Sequence, residues 1–179
     1  MDRAYFIKDL ITEREYDILR SAVGTMYDYY VQDDGKAWLT DNGKNVDTHY
    51  QAAPIDRIDN FIAKLLCDRY GIEFGQHIFI GSRLGAGVIP HRDHSKRNCL
   101  LNFPLYTASK TFIGYADKEG KEIVQEFVYN KPCILNTSDW HGAKHNGDTP
   151  QVVYQISTSQ TMKEVVSILR TKGLLIENE

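Results

Sequence analysis

Gly85-Ala86-Gly87-Val88-Ile89-Pro90-His91-Arg92-Asp93 delivers a histidine and an aspartate, two residues apart, out of a glycine-rich turn. On an extended backbone, residues i and i+2 project from the same face, so His91 and Asp93 can present an imidazole nitrogen and a carboxylate oxygen to one metal ion. A set of two histidines and one carboxylate then needs a second histidine on a later strand. Asn136-Thr137-Ser138-Asp139-Trp140-His141-Gly142 supplies it, at the end of the apolar run Cys133-Ile134-Leu135. The candidate constellation is His91, Asp93 and His141. His145, four residues further on, is the alternative third ligand, but Gly142-Ala143-Lys144 sits more naturally after a ligand than before one. His94 faces away from Asp93 on a strand, and His49 and His77 stand in no local pattern.

Outward from this motif the chain has two textures. After Gly71, short apolar or alternating runs are separated by Gly, Pro, Asn and Asp, which predicts strands over 76–84, 98–106, 110–116, 122–129, 131–136 and 150–158. Before Gly71 the periodicity is helical. Thr12-Glu13-Arg14-Glu15 has the pattern of a capping box, and Tyr16, Leu19, Ala22 and Val23 follow at helical spacing, predicting a helix over 12–24 that Gly24 ends. Pro54 suits the first position of a second helix, whose stripe of Ile55, Ile58, Phe61, Ile62, Leu65 and Leu66 runs to about Tyr70. Tyr27, Tyr29 and Tyr30 are expected to pack in the core rather than line a cleft. Asp33-Asp34-Gly35 and Asp41-Asn42-Gly43 predict a hairpin or surface loop around Trp38 and Leu39, with a lid over a site as one role open to it. Thr161-Met162-Lys163-Glu164 is a second capping box and opens a final helix to about Arg170.

Helices segregated from strands predict a mainly β sandwich or barrel with flanking helices packed on one face. One domain over 1–179 is expected: helical support over 1–71, the β core over 72–160 and a C-terminal helix over 161–179. A chain of 179 residues, 42% hydrophobic and 25% charged, can bury one substantial core. Its formal net charge of -3 speaks against a duplex-DNA or anionic-membrane surface, since both need a concentrated basic face. No stretch approaches the roughly 18 apolar residues of a membrane span, and Met1-Asp2-Arg3-Ala4-Tyr5-Phe6 lacks a signal-peptide apolar region. Cys67, Cys99 and Cys133 form neither a CxxC pair nor a disulfide framework. A reducing, cytoplasmic location is therefore expected.

From Arg83-Leu84-Gly85 through Pro90-His91-Arg92-Asp93, with Leu135-Asn136-Thr137 to His141-Gly142-Ala143 and a strand from Gln151 to Ser157, the chain resembles the iron(II)/2-oxoglutarate-dependent dioxygenases. Within them it is most similar to the aspartyl/asparaginyl β-hydroxylase-like group, whose members carry a G-x5-H turn like that from Gly85 to His91. The likeness spans about residues 78–158. It implies a double-stranded β-helix, the jelly-roll architecture also found in cupins. It implies Fe(II) held by His91, Asp93 and His141, with 2-oxoglutarate chelating through two atoms before O2 binds. It further implies that decarboxylation of 2-oxoglutarate to succinate and CO2 is coupled to hydroxylation of an amino acid, a peptide or another small substrate. The implied partners are that substrate and O2, with neither nucleic acid nor membrane.

One position departs from the family. Where its members place an Arg or Lys to pair the far carboxylate of 2-oxoglutarate, ten residues after the distal histidine, this chain has Gln151, and Val153 replaces the Ser or Thr often found two residues later. An amide donates hydrogen bonds but does not neutralise a carboxylate, and unpaired buried charge is costly. Arg97 is the first substitute cation and Arg83 the second, while Asn98 and Asn102 could donate neutral hydrogen bonds, Asn102 facing inward with Leu100 and Pro104. Gln151 also keeps open a cupin-like metal protein acting without 2-oxoglutarate, and a non-catalytic binding barrel is a third possibility. Asn136 and Ser138 are expected to satisfy backbone groups at a strand end, and Asp139 to orient His141 or cap a turn.

Overall fold

The computed structural model describes residues 3–32, 50–54, 58–73, 75, 77–82, 87–94, 96–106, 110–145 and 151–176. In chain order the elements are β1 (Ala4–Ile7), α1 (Glu13–Gln32), β2 (Tyr50–Pro54), α2 (Ile58–Tyr70), β3 (His77–Ser82), β4 (Gly87–His91) and β5 (Cys99–Pro104). There follow β6 (Thr111–Ala116), β7 (Ile123–Tyr129), β8 (Cys133–Asn136), β9 (His141–His145), β10 (Gln151–Thr158), α3 (Met162–Thr171) and β11 (Leu175–Ile176). Among the described residues the strands form two antiparallel sheets, a large one ordered β11-β1-β8-β5-β10-β3-β2 and a small one ordered β4-β9-β6-β7.

The alternation of β10 shows how the layers stack. Val152, Tyr154 and Ile156 join a core with Leu101 and Phe103 of β5, Tyr16 and Leu19 of α1, Ile62 and Leu66 of α2, and Val165 and Leu169 of α3. Val153, on the opposite face, packs with Cys133 and Leu135 of β8 and with Ile113, Tyr115 and Tyr129 of the small sheet. Helices therefore cover one face of the large sheet, and the small sheet covers the other. This is a double-stranded β-helix flanked by helices, as the sequence predicts. Leu19, Ile62 and Leu169 are wholly buried at the helix–sheet contact; each contributes roughly 1.5–3 kcal/mol of burial.

The six expected strands appear as β3, β5, β6, β7, β8 and β10. Both capping boxes form. The amide of Thr12 donates to Glu15 Oε2 at 2.6 Å and that of Glu15 to Thr12 Oγ1 at 3.3 Å, with the same exchange between Thr161 and Glu164 ahead of α3.

Three expectations need correction. α1 continues through Gly24 to Gln32; a helical glycine costs only about 1 kcal/mol, too little to end a helix by itself. Pro54 opens no helix; it ends β2 at the edge of the large sheet, where a missing N–H breaks no ladder, and α2 starts at Ile58. The stretch before Gly71 also contains β1 and β2, which extend the large sheet. The loop around Trp38 and Leu39, His49 and Arg83 lie outside the described residues, as do the side chains of Tyr27, Tyr29 and Tyr30. No described helix is long and apolar enough to cross a membrane.

Candidate metal centre

β4 and β9 are neighbours in the small sheet, and their register brings the two histidines together. Val88 pairs with Ala143 and His91 with His141, so β4 fits both Ile89 and Pro90 opposite Gly142. Such a bulge kinks the strand and re-aims the side chains beyond it, and a proline is tolerated there because the ladder is already interrupted. Gly142 is required by the crowding: a Cβ at this position would lie 2.7 Å from the carbonyl oxygen of Val88 and 3.2 Å from the nitrogen of Pro90. The two imidazole centroids are 4.5 Å apart. Asp93 follows β4, held by its amide donating to the carbonyl of Thr137 at 3.0 Å. One potential ligand atom from each of His91, Asp93 and His141 lies within 4.8 Å of the others.

Each histidine is fixed in the tautomer a metal ligand needs. His91 Nδ1 lies 2.9 Å from the carbonyl oxygen of Ile89, and His141 Nδ1 lies 3.0 Å from that of Asp139. A carbonyl only accepts, so both Nδ1 atoms carry the proton and both Nε2 lone pairs are left for a cation. Burial pushes the His141 pKa down to about 4, which keeps the ring neutral near pH 7. Burial works against ionisation of the Asp93 carboxyl, but its contact with His91 and the charge of the Arg97 guanidinium outweigh it and hold the pKa below its ordinary value. A neutral His141 imidazole beside an ionised Asp93 carboxylate results.

The loops carrying these groups are tied together. Thr137, fully buried, donates from Oγ1 to the carbonyl of Arg97 at 2.6 Å and from its amide to that of Asn98 at 3.1 Å. The Asn136 side chain accepts from the amide and the hydroxyl of Ser138, at 3.1 and 2.7 Å, closing the strand-end turn. The Asp139 carbonyl orients His141, while its carboxylate pairs with Arg3 Nε at 3.2 Å. Arg92, between the two first ligands, has its guanidinium carbon 5.7 Å from the centroid of the Trp140 ring. That ring packs on the turn between β6 and β7, where Gly120 has φ 73° and a Cβ would approach the indole to 2.8 Å.

Of the remaining residues singled out in the sequence, Arg97 lies beside the triad, its Nε 3.3 Å from Asp93 Oδ2. Asn102 is buried on the inward face of β5. Gln151 is buried at the start of β10 and bonded to the hydroxyl of Thr111. Asn98 turns elsewhere, donating to the carbonyl of Ser159 at 2.6 Å. His145 is buried at the far end of β9, opposite Thr111. Sequence reasoning missed Tyr129, Gln155 and Thr111. Gln155 was open to detection, because it shares the face of β10 with Gln151 and Val153 at period two; Tyr129 and Thr111 enter only through the pairing of β6 with β7 and β9.

The donor set fits a divalent iron centre: two imidazole nitrogens and one carboxylate oxygen, with further coordination positions left open. Asp93 Oδ1 lies on the histidine side, 3.6 Å from His91 Nε2, so a carboxylate oxygen and an imidazole nitrogen converge on one point.

No protein-family model matches the chain, and no curated protein matches it in sequence. Solved structures do. A prolyl hydroxylase from Trichoplax adhaerens, in complex with a hypoxia inducible factor peptide fragment, aligns over 94% of this chain and 87% of its own at 10% identity, with a TM-score of 0.58. A prolyl-4-hydroxylase from Pseudomonas putida aligns over 88% and 92% at 10% identity and TM-score 0.54. SnoK, a non-heme alpha-ketoglutarate-dependent carbocyclase of nogalamycin biosynthesis, aligns over 98% and 89% at 11% identity and TM-score 0.54. The fold is thus the double-stranded β-helix shared with these solved structures.

Proposed function

We propose that this protein is an Fe(II)- and 2-oxoglutarate-dependent oxygenase that hydroxylates an amino acid, a peptide or another small substrate. The observation that carries this reading is the convergence of His91, Asp93 and His141 within 4.8 Å, where β4 ends and β9 begins. His91 and His141 would bind the metal through Nε2 and Asp93 through a carboxylate oxygen, leaving room for a two-point chelate and O2. Iron so held supplies the oxidising power for an unactivated C–H bond. The chain's own part is geometric: the carbonyls of Ile89 and Asp139 hold the rings in one tautomer, and the barrel shields the reacting atoms from water.

The turn from Gly85 to His91 supports a place near the aspartyl/asparaginyl β-hydroxylase-like group, and the peptide complex of the Trichoplax neighbour supports a peptide segment as substrate. The whole chain acts as one domain with its catalytic core over 72–160. Asn102 and Gln151 would give neutral hydrogen bonds to the co-substrate. Gln151 in place of a cation favours a second reading, a cupin-like metal protein in which the substrate itself chelates the metal.

Anaerobic titration of the metal-free protein with Fe(II) and then 2-oxoglutarate separates the two. A visible metal-to-ligand charge-transfer band that is absent in His91→Ala supports the oxygenase. Iron uptake without the band favours the cupin-like reading, and no iron uptake overturns both.

A further inference from the structure

A chain of buried polar groups leads from the candidate metal carboxylate into the barrel. Arg97 starts it, four residues after Asp93 in the turn that follows β4. Its backbone is anchored on both sides, the amide donating to the carbonyl of His94 at 2.8 Å and the carbonyl accepting from Thr137 Oγ1 at 2.6 Å. The guanidinium faces two ways. Its Nε stands 3.3 Å from Asp93 Oδ2, and its Nη2 donates to Gln155 Oε1 at 2.9 Å. Gln155 Nε2 in turn donates to Asn102 Oδ1 at 3.0 Å, and Asn102 Nδ2 donates to the hydroxyl of Tyr129 at 3.1 Å.

The order of donors and acceptors leaves each amide one orientation. Arg97 can only donate, so Gln155 must turn its oxygen to Arg97 and its nitrogen to Asn102; Asn102 must then turn its nitrogen to Tyr129. The array spans β5 and β10 of the large sheet and β7 of the small one. It therefore aims Arg97 from the scaffold rather than from its own turn. The Arg97 and Asp93 side chains are only 19% and 14% exposed, so solvent screens their attraction weakly.

We propose that Arg97 is a positioning residue of the metal centre, holding Asp93 Oδ2 so that Oδ1 alone faces the metal, and that Gln155, Asn102 and Tyr129 aim it. Asp93 Oδ1 already lies on the histidine side, 3.6 Å from His91 Nε2. Oδ2 accepts no hydrogen bond, so the guanidinium charge is what balances it. The inference rests on the triad being a metal site. It also separates Arg97 from a co-substrate role: with its charge engaged by Asp93, losing Arg97 weakens the metal before any 2-oxo acid is added.

The test is anaerobic titration of the metal-free full chain with Co(II), followed by its visible d–d bands and without 2-oxoglutarate. Arg97→Ala is expected to weaken Co(II) by about 10- to 100-fold and to alter the band pattern, as loss of a group that orients a ligand does. Arg97→Lys should recover part of the affinity through charge, and Gln155→Ala, which does not touch Asp93, should weaken Co(II) in the same direction by less. Should Arg97→Ala fail to fold, Gln155→Ala and Arg97→Lys still decide, because both should shift the bands. Co(II) affinity and bands unchanged in Arg97→Ala, or in both other variants, overturn the inference. No Co(II) uptake by the unmodified protein overturns the metal reading, and this inference with it.

Discussion

At the scale of the residue, the protonation of His141 is the most exposed to test. Burial holds its folded pKa near 4, against an ordinary value of 6.5. Between those values the unfolded chain binds the proton and the folded chain does not, so metal-free stability falls as pH drops through this window. The urea midpoint of the metal-free protein should be lower at pH 5 than at pH 7.5, and the difference should shrink in His141→Gln. Asp93, with its lowered folded pKa, contributes in a separate, more acidic window: its stabilisation is present above the ordinary carboxylate pKa and lost as pH falls through the folded one. Choosing between His141 and His145 also belongs to this scale. Four residues of strand put His145 about 13 Å along β9 from His141, beside Thr111 rather than Asp93. His145→Ala should keep its metal in a Co(II) titration, whereas His141→Ala should lose it. The spacing of His91 and Asp93 made that pair readable, because period two needs no tertiary information; Gly142-Ala143-Lys144 favours His141 over His145, and the pairing of β4 with β9 sets His141 opposite His91.

At the scale of the element, the bulge between β4 and β9 controls whether the triad exists. Gly142→Ala places a methyl 2.7 Å from the Val88 carbonyl, a backbone atom with no free rotation to escape by. It should push β4 and β9 apart, destabilise the protein by about 1–3 kcal/mol, and weaken Co(II) alongside the fall in denaturation midpoint. Elements with a strong period or cap were readable: α3 has its capping box and its buried Val165, Val166 and Leu169, and β5 and β10 have their apolar runs. β4 and β9 were not. Gly-Val-Ile-Pro-His and His-Gly-Ala-Lys-His are short, interrupted by Pro or Gly, and become strands only because they pair with each other and with β6. β1 is likewise four residues that make a strand only between β8 and β11.

At the scale of the whole molecule, the site is assembled from both ends of the chain. Arg3 reaches Asp139 at 3.2 Å and its carbonyl accepts from the hydroxyl of Tyr115 at 2.6 Å, while the helices brace the large sheet from its other face. Among the described residues two hydrophobic clusters form without any ion, so removing metal should leave the fold intact. Chelation is expected to lower the melting temperature while preserving the far-ultraviolet circular dichroism. A metal at 100 times its dissociation constant adds about 2.7 kcal/mol, which sets the size of the shift. Residue types and short-range spacing were enough to establish α3, the six strands after Gly71 and the His91–Asp93 pair, because periodicity and i, i+2 geometry are local properties of the backbone. The facing of His91 and His141 across a bulge and the polar chain from Asp93 to Tyr129 came from folding alone, because each depends on strands distant in sequence being brought into register.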